Sequence, residues 1–271
     1  LMDSLWGDTC FVASVAWEKR FTRSNNAHLV SSVKDNVLVY RASEALSYLR
    51  EDRTDEANAI YSNPDDDPRG EWTSVSYVNP ATKEARPNLV YDIWNPVLKQ
   101  SVTHPTNAWK YSPDEHQRHV QESRLYWGRE GGNTYPRLKR FLCEVGGMVP
   151  TDIWKYADSG TTDEASTALK HMFGTNVFDN PKPVRLVTRV ASIHHNQIPS
   201  QTGLYLDFFA GSGTTGQAVV ELNRSDGGRR RFALIEMADY FGTVLVPRIQ
   251  KAMYCPDWKD GLPAGYPEPA M

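Results

Sequence analysis

The spacing of hydrophobic residues predicts regular structure towards both ends of the chain and little between them. Residues 11–17 and 36–40 are rich in β-branched and aromatic side chains, which predicts two strands. The polar loop between them favours an antiparallel pair or the edge of a larger sheet. Residues 44–61 are charged and rich in helix-forming residues, so we expect a helix there.

The middle of the chain, residues 62–156, has weak periodicity and many Pro, Gly, Trp and Tyr residues. This composition is typical of short strands and loops. One helix start is distinct, because Ser112 is followed by a proline and then by Glu115, which is the pattern of a capping box. Residues 124–128 are predicted to form a strand after that helix.

Regular structure is expected to resume at a second capping box, Thr161 with Glu164, whose helix should end at Gly174. In the amphipathic helix predicted over residues 183–194, apolar residues recur at three-residue steps: Val184, Val187, Val190 and Ile193. The last predicted elements are a strand, a glycine loop and a helix near residue 211, then a strand over 231–236 and a helix over 240–254. The proline-rich residues 256–271 predict an unfolded tail.

The glycine loop lies in the segment Leu204-Tyr-Leu-Asp-Phe-Phe-Ala-Gly-Ser-Gly-Thr-Thr-Gly216. An apolar run ending in an acid leads into the loop, and residues 217–222 have the spacing of an amphipathic helix. Strand, tight turn and helix form the unit that holds adenosine-containing ligands at the carboxyl end of a parallel strand. Gly211 and Gly213 carry no Cβ, so the backbone can turn sharply and approach a ligand closely.

Two classes of ligand fit this loop. The three glycines at 211, 213 and 216, with Glu236 beyond them, match the fingerprint of a nicotinamide or flavin dinucleotide site. Against that class, Asp207 stands where an apolar residue is expected, and a dinucleotide fold begins with this unit instead of ending with it. An acid there suits the sulfonium and ammonium groups of S-adenosylmethionine. The loop N–H groups suit its carboxylate, and Glu236 suits its ribose hydroxyls.

The composition, 40% hydrophobic and 23% charged residues in a chain of 271, is that of an ordinary globular protein. No apolar run approaches the roughly 18 residues of a membrane span, and the first residues do not resemble a signal peptide. Cys10, Cys143 and Cys255 are widely spaced, which favours a reducing, cytoplasmic setting over a disulfide framework or a zinc site. The histidines show no metal-ligand spacing, so no metal is expected. A net charge of −3 neither indicates nor excludes nucleic-acid binding.

Two motifs carry a family resemblance. The segment Asp207-Phe-Phe-Ala-Gly-Ser-Gly-Thr-Thr215 closely resembles motif I of the amino DNA methyltransferases, which act on adenine N6 or cytosine N4. The segment Phe178-Asp-Asn-Pro-Lys-Pro-Val-Arg-Leu186 resembles their motif X, which precedes motif I in the β-class order. Residues 62–72, 137–142 and 149–154 are similar to segments of the methylation subunits of type III restriction–modification systems. The resemblance covers nearly the whole chain, and the pair of motifs is highly specific.

The resemblance implies an S-adenosylmethionine pocket formed by motif I, motif X and Glu236. Lys182 and Pro183 would approach the methionine end of the cofactor, although a solvated surface lysine is the alternative for Lys182. The hydroxyls at 214 and 215 would cap the following helix or contact the cofactor carboxylate. The residues implied to line the pocket from motif I are Asp207, Phe208, Phe209, Ala210, Gly211, Ser212, Gly213, Thr214 and Thr215.

The implied fold is α/β: a three-layer, Rossmann-like S-adenosylmethionine-dependent methyltransferase core, partial and in permuted order, with an inserted irregular recognition region. We expect residues 1–61 to be the remainder of the catalytic core and residues 62–156 the target-recognition region. Residues 157–255 would be the S-adenosylmethionine-binding half of the core, and residues 256–271 a tail.

The implied function is transfer of a methyl group from S-adenosylmethionine to an exocyclic amine of DNA, foremost adenine N6, in a restriction–modification system. Double-stranded DNA, a second copy of the chain and a restriction subunit are the implied partners. The family holds the amine with an Asp/Asn/Ser-Pro-Pro-aromatic tetrapeptide, and this sequence contains none. Asn63-Pro64 and Asn95-Pro96 match it only in part and are interpreted as turn residues.

The catalytic residues therefore stay unassigned, and we expect a fragment that transfers little methyl on its own. A nicotinamide-dependent oxidoreductase and a DNA-recognition module without catalysis are the alternatives.

Residues 119–141 concentrate basic and aromatic side chains around the turn at 131–132. Basic residues meet phosphates and aromatic rings stack on bases, and the chemistry requires the target base to leave the duplex stack. The alternative is an ordinary charged surface over a small aromatic core, since Glu122 and Glu130 dilute the positive charge. The predicted DNA contacts are Arg124, Arg129, Arg137, Lys139 and Arg140.

Overall fold

The computed structural model describes residues 2–23, 28–193 and 201–264 of the chain. The chain divides into two compact units: Leu1–Asp52 with Met148–Met271 form the first, and Arg53–Gly147 form the second. In sequence, the second unit is an insertion into the first. Both contain helices and strands, so the protein is of the mixed α/β class. Within the described ranges, no helix has the length and apolar character needed to cross a bilayer.

The elements follow this division. Those of the first unit before the insertion are α1 (Met2–Trp6), β1 (Phe11–Glu18) and β2 (Lys34–Tyr40). Those of the second unit are α2 (Asp55–Asn58), β3 (Trp72–Ser76), β4 (Val78–Thr82), β5 (Ile93–Asn95), β6 (Gln100–Val102), β7 (Asn107–Trp109), α3 (Pro113–Gln121), β8 (Leu125–Tyr126) and β9 (Arg137–Phe141). Those of the first unit after the insertion are β10 (Ile153–Trp154), α4 (Tyr156–Ser159), α5 (Thr162–Phe173), α6 (Val184–Ser192), β11 (Thr202–Asp207), α7 (Thr214–Asp226), β12 (Arg229–Leu234), α8 (Val246–Tyr254), β13 (Trp258–Lys259) and β14 (Leu262–Pro263).

Strand β1 is the centre of a three-stranded sheet in the first unit. Strand β2 lies antiparallel to it, which confirms the predicted pair, and β10 lies parallel to it on the other side. Alternate side chains of β1 face the same way, so Val15 and Trp17 lie together in a core with Trp154 and Leu186. The Trp17 indole N–H donates to the Gly160 carbonyl at 3.0 Å, which satisfies its polar atom inside this core.

Strands β11 and β12 form a parallel pair, and helix α7 connects them. Parallel neighbours need such a crossover, so the predicted strand–loop–helix–strand order is confirmed as a βαβ unit. Helix α7 buries Ala218, Val219 and Leu222 and packs against α6, α8 and β12. The parallel register brings the carboxyl ends of both strands to the same edge, where Asp207 is paired with Leu234.

The second unit consists mainly of short antiparallel strands. Strand β9 pairs with β3 on one side and β8 on the other, while β4 pairs with β7 and β5 with β6. Its core is aromatic: Tyr77, Ile93, Val102 and Trp109 are buried together. Strand β8 is shorter than the predicted strand over 124–128, because Arg124 lies outside the paired residues Leu125 and Tyr126.

The two predicted helix starts are confirmed, one of them in part. At α3, the Ser112 hydroxyl accepts from the Glu115 N–H at 3.3 Å and the Glu115 carboxylate accepts from the Ser112 N–H at 2.8 Å, a complete capping box. At α5, the Thr161 hydroxyl accepts from the Glu164 N–H at 3.1 Å. The Glu164 carboxylate instead binds the guanidinium of Arg185 at 2.7 Å, so the second half of the box does not form.

Two predicted helices are wrong in extent. The helix expected over 44–61 shrinks to α2, because residues 44–45 form a turn and Glu51 exchanges backbone hydrogen bonds with Met148. The Glu51 carboxylate also binds Arg189 at 3.1 Å, and such tertiary contacts outweigh helix propensity. The helix expected over 240–254 is α-helical only over α8, which follows a short π-helix at Phe241–Leu245.

Helix α6 buries a different face from the predicted one. Leu186 and Ala191 are buried, whereas Val190 is 45% exposed. Successive residues of an α-helix turn by about 100°, so a row of strict three-residue steps drifts around the axis, and a buried face needs alternating steps of three and four. His194, the last residue of the predicted helix, lies outside the described residues.

The tail is ordered as far as the structure describes it. Strands β13 and β14 form a hairpin where residues 256–271 were expected to be unfolded. The ammonium of Lys251 lies 3.7 Å from the centre of the Trp258 ring, a cation–π contact that holds the hairpin on α8. The Gly261 N–H donates to the His171 carbonyl at 2.9 Å, which joins the hairpin to the end of α5. Residues 265–271 of the predicted tail lie outside the described range.

Gly174→Ala tests the left-handed end of α5. Gly174 has φ +78°, and a Cβ at this position would lie 3.2 Å from the Asp260 carbonyl oxygen. We expect the free energy of unfolding to fall by about 1–2 kcal/mol, measured by urea denaturation. Gly242→Ala is the matched control, because no atom lies within 4 Å of a Cβ there and its φ lies outside the left-handed region. An equal loss in both variants would contradict this explanation.

Candidate functional site

The glycine loop joins the carboxyl end of β11 to the start of α7. The Gly213 N–H donates to the Ala210 carbonyl at 2.8 Å, and the Ala210 N–H donates to the Ile235 carbonyl at 3.1 Å. Gly211 and Gly213 have φ of +54° and +87°, a region that favours glycine. The loop is therefore a tight turn, held to the end of β12 by a backbone hydrogen bond.

Asp207 is the last residue of β11, and its carboxylate contacts both the glycine loop and the start of α7. Oδ1 accepts from the Phe209 N–H at 3.1 Å, and Oδ2 accepts from the Thr215 hydroxyl at 2.6 Å. Phe208 and Phe209, the next two residues of the chain, are 60% and 88% exposed. A half-buried acid and two exposed aromatic rings thus lie at one edge of the parallel pair.

Glu236 occupies the matching place after β12. Its carboxylate accepts from the N–H groups of Gly211 at 2.9 Å, Met237 at 2.8 Å and Ala238 at 3.0 Å. These backbone donors, that of Ala238 foremost, hold the pKa of Glu236 below its ordinary value. The carboxylate is therefore ionised and fixed in orientation. The Tyr240 hydroxyl also donates to it, so a further donor would take the place of that hydroxyl.

The third glycine of the fingerprint serves packing. A Cβ on Gly216 would lie 2.5 Å from Ile249 Cδ1 and 2.9 Å from Leu234 Cδ1. Helix α7 approaches β12 and α8 more closely at this point than a side chain would allow. Of the three glycines, those at 211 and 213 form the turn. Gly216 allows the close approach of α7 to β12 and α8.

The segment that resembles motif X meets the loop through its backbone. The Thr214 hydroxyl donates to the Lys182 carbonyl at 3.2 Å, and the buried Pro183 directly precedes α6. The Lys182 ammonium is half exposed, 3.3 Å from the Asp35 carboxylate and over the ring of Trp17. Lys19 also binds Asp35, at 2.6 Å, and this ammonium foremost holds the pKa of Asp35 below its ordinary value. The Lys182 side chain thus takes part in an ion-pair cluster.

Arg248 is a residue at this site that the sequence reasoning missed. Its guanidinium reaches from α8 to the Ser212 and Thr214 hydroxyl oxygens, at 2.5 and 3.0 Å, and to the Gln217 amide oxygen at 2.7 Å. Only 3% of its surface is exposed, and burial lowers its pKa to about 10. Its burial could have been predicted from the sequence, because position 248 lies four residues from both Val244 and Ala252, on the helix face that is buried.

The structure does not bring the five predicted DNA-contacting residues together as a free basic surface. Lys139 is 6% exposed, and its ammonium lies between the Asp65 and Asp67 carboxylates, the latter at 3.1 Å. Arg124 binds the carboxylates of Glu122, at 2.5 Å, and Glu144, and the Glu144 hydrogen bonds foremost raise its pKa. Two of the five charges are therefore neutralised within the unit.

The other three predicted residues differ from one another. Arg137 donates to the hydroxyl and carbonyl oxygens of Ser74, each at 2.8 Å, and so is engaged with β3. Arg129 and Arg140 are exposed, and within the described residues neither forms an ion pair. These two arginines are the members of the set that are open to an external phosphate.

The aromatic residues of segment 119–141, which were predicted to stack on bases, belong mostly to the core of the second unit. Trp127 and Tyr135 pack against the buried cluster, and Tyr126 lies edge-on to Trp72 with ring centres 5.0 Å apart. Trp94, which the sequence reasoning passed over, is 58% exposed on β5. Along β5, Ile93 and Asn95 are buried and Trp94 between them is exposed. Alternation of side chains along a strand could have predicted the exposure of Trp94.

The two Asn-Pro pairs are turn residues, as predicted. Asn95 is fully buried, and its amide oxygen accepts from the N–H groups of Val97 and Leu98 at 2.9 and 3.0 Å. Asn63 accepts from the Asp67 N–H at 2.8 Å and donates back to its carbonyl at 2.9 Å. Both amides are occupied in fixing the chain.

The buried Tyr77 and two half-buried histidines of α3 form a polar group in the second unit. The Tyr77 hydroxyl lies 3.1 Å from His116 Nδ1 and 3.0 Å from His119 Nδ1. A hydroxyl donates one proton, so one of the two rings carries its proton on Nδ1 and donates to the tyrosine oxygen. Burial lowers the pKa of both histidines. Across the described ranges, no three His, Cys, Asp or Glu side chains lie where they would hold a metal ion.

Comparison with known proteins identifies the family. Residues 3–245 match the model of the DNA methylase family, N6_N4_Mtase, and the chain belongs to that family. Methyltransferases of this family take the methyl group from S-adenosylmethionine. The alternative of a nicotinamide-dependent oxidoreductase is not favoured by this match.

Three known proteins are similar in sequence to this chain. The type III restriction-modification enzyme StyLTI Mod subunit of Salmonella typhimurium is 29% identical over 236 residues, which cover 86% of this chain and 34% of that protein. The type III EcoPI Mod subunit of Escherichia phage P1 is 40% identical over 108 residues, 40% of this chain and 16% of that protein. The type II methyltransferase M.KpnI of Klebsiella pneumoniae is 25% identical over 252 residues, 87% of this chain and 58% of that protein. The chain thus spans about a third of the first relative and less than two thirds of each.

We expect the stability of the protein to fall as the pH is lowered below about 6.5, the ordinary pKa of histidine. Burial keeps His116 and His119 neutral in the folded state, so the unfolded state binds protons first and gains stability. Urea denaturation at pH 7.5, 6.5 and 5.5 measures this. The double variant His116→Gln, His119→Gln should lose much of the change between pH 7.5 and 5.5. An unaltered pH dependence in that variant would show that other groups cause it.

Proposed function

We propose that this chain is the S-adenosylmethionine-binding and target-recognition part of a DNA methyltransferase in a restriction–modification system. Its family membership, with residues 3–245 matched, supports methyl transfer as the activity. The names of the relatives, two type III Mod subunits and the type II methyltransferase M.KpnI, support the setting.

The observation that carries the proposal is the edge where β11 and β12 end. The carboxylates of Asp207 and Glu236 lie there. Asp207 is held by a loop N–H and by the Thr215 hydroxyl of α7, and Glu236 by N–H groups of the loop and of the chain after β12. Two carboxylates beside a left-handed glycine turn suit a ligand with both cationic groups and vicinal hydroxyls. S-adenosylmethionine has a sulfonium, an ammonium and a ribose.

Each side chain has a role in this proposal. Asp207 attracts the cationic methionine portion, and Glu236 accepts hydrogen bonds from the ribose hydroxyls. The exposed rings of Phe208 and Phe209 offer apolar surface to the cofactor. When bound, S-adenosylmethionine supplies a methyl group on a positively charged sulfur. The Lys182 ammonium is engaged with Asp35, so we assign motif X a contact through its backbone and Pro183.

We further propose that the first unit is part of a three-layer Rossmann-like core in permuted order. Helix α7 covers one face of the β11–β12 pair, and Leu204 and Leu206 on the other face are 62% and 52% exposed. Parallel sheets are normally covered on both faces, which supports a further layer. The expected division was residues 1–61 and 157–255 for the core and residues 62–156 for target recognition. Because β10 pairs with β1 and the second unit is Arg53–Gly147, we assign that unit to target recognition and the first unit to the core.

The proposed target is an exocyclic amine of double-stranded DNA, adenine N6 first and cytosine N4 as the alternative. A second copy of the chain and a restriction subunit are the proposed partners, in keeping with the word subunit in the names of two relatives. The residues that hold the amine stay unassigned, because the Asp/Asn/Ser-Pro-Pro-aromatic tetrapeptide of the family does not occur in this sequence.

Equilibrium binding tests the cofactor assignment. We expect the chain to bind S-adenosylmethionine more tightly than NAD in isothermal titration calorimetry. Asp207→Asn keeps the shape and removes the charge, so it should weaken S-adenosylmethionine binding about 10- to 100-fold by removing the attraction to the cationic groups. Asp257→Asn, an exposed carboxylate beside the hairpin of β13 and β14, is the matched control and should bind normally. Tighter binding of NAD would contradict the assignment.

The salt dependence of DNA binding tests the recognition assignment. Replacing Arg129 and Arg140 together by Ala should reduce the slope of log K against log salt by about two, because each arginine is assigned to one phosphate. Arg124→Ala is the matched control, because its charge is already neutralised by Glu122 and Glu144. We expect its slope to match that of the parent. A slope that is unchanged in the double variant would exclude these arginines as phosphate contacts.

A further inference from the structure

The hairpin of β5 and β6 in the second unit exposes apolar side chains on one strand and at its tip, residues 96–99. Trp94 is 58% exposed, and Val97 and Leu98 in the tip are 50% and 46% exposed. The buried core of the unit lies on the other face of β5, because Ile93 and Asn95 are buried. Large apolar side chains so close together at the surface indicate that a partner covers them.

Asn95 makes the tip rigid. Its amide oxygen accepts from the N–H groups of Val97 and Leu98, at 2.9 and 3.0 Å, which closes the turn of the hairpin. Its amide nitrogen donates to the carbonyls of Asn133 and Thr134 at 3.3 and 3.2 Å. The tip is therefore fixed in shape and fastened to a second segment of the unit, so it loses little conformational entropy when it binds a partner.

The turn Arg129–Gly131 packs against the same tip. A Cβ on Gly131 would lie 2.6 Å from Val97 Cγ1, so the turn approaches this side chain more closely than any residue but glycine allows. Lys99 in the tip and Arg129 in the turn are exposed, and neither forms an ion pair within the described parts of the chain. Two free cations thus border the apolar tip.

The charge around the tip is positive overall. Tip and turn together contain these two cations and one acid, Glu130. The Asp92 carboxylate, just before β5, accepts from the Thr103 hydroxyl. A rigid apolar tip bordered by cations complements a polymer with anionic edges and an apolar interior. Duplex DNA has this arrangement, because its phosphates border stacked bases.

We propose that the β5–β6 hairpin is a wedge that enters a groove of double-stranded DNA. Trp94 stacks on a base at an opened step, and Lys99 and Arg129 bind the bordering phosphates. Apolar side chains inserted in this way unstack and kink the duplex, which lowers the cost of rotating a base out of the stack. This inference rests on the proposed function, because it takes DNA as the ligand of the second unit.

A duplex with one abasic position tests the wedge without knowledge of the recognised sequence. The probes are a short duplex and the same duplex with a single central abasic site, and fluorescence anisotropy measures binding of the full chain. The parent should prefer the abasic duplex by about tenfold, because its stack is already open for an aromatic ring. Trp94→Ala should abolish that preference, whereas Trp94→Phe should retain most of it.

The salt dependence separates the wedge from the phosphate contacts. Trp94→Ala should leave the slope of log K against log salt unchanged, because an indole releases no counterion. Lys99→Gln should reduce that slope by about one and keep the preference for the abasic duplex. Ile60→Ala is the matched control, since Ile60 is 66% exposed in the same unit outside the hairpin, and should change neither property.

The proposal is overturned alone if the parent binds both duplexes equally, or if Trp94→Ala retains the preference. Trp94 is largely exposed, so its replacement should leave the urea midpoint of unfolding at that of the parent. A lower oligomeric state of Trp94→Ala in sedimentation equilibrium, with DNA binding unaltered, would assign the hairpin to a contact between copies of the chain and overturn the wedge. A parent chain that binds neither duplex overturns the proposed function as well.

Discussion

The parallel pairing of β11 with β12 is the constraint on which the candidate site depends. It sets Asp207 and Glu236, 29 positions apart in the chain, at the same edge. Backbone hydrogen bonds continue the pairing past the strands, from Ile235 to Asp207 at 2.8 Å and from Ala210 to Ile235 at 3.1 Å. The glycine turn is thereby fixed against the end of β12, and the Gly211 N–H meets the Glu236 carboxylate. Helix α7 begins where this turn ends, so its first turn faces the same edge.

The loop, its strands and its helix could be predicted from sequence because their causes are local. The turn has positive φ at positions 211 and 213, which favours glycine there. The two residues of a capping box lie only three positions apart, as Ser112 and Glu115 do. Where the cause is distant in sequence, prediction failed. The non-helical chain before α2 is held by Met148 and Arg189, and the hairpin after α8 is held by contacts with α5. No window of neighbouring residues contains those partners.

Charge was the least predictable property of the site residues. A basic residue in sequence is equally compatible with a free surface and with a buried ion pair. Lys139 is paired with Asp65 and Asp67, more than 70 positions away, and so is withdrawn from the surface. Arg248 shows the opposite case, a buried cation whose hydrogen-bond partners among the described residues are the neutral oxygens of Ser212, Thr214 and Gln217. Family membership and the relatives support a methyltransferase, and these contacts decide which residues we assign to it.

Hydrogen exchange with and without S-adenosylmethionine tests most directly whether the glycine loop is the cofactor site. We predict that saturating cofactor slows exchange of the amides at 208–217 and 235–238, because the ligand closes the edge where both strands end. Amides of 53–147 should exchange at unchanged rates. Unaltered exchange at 208–217 under saturating cofactor, or slowing confined to another part of the chain, would contradict the assignment of the cofactor to this loop.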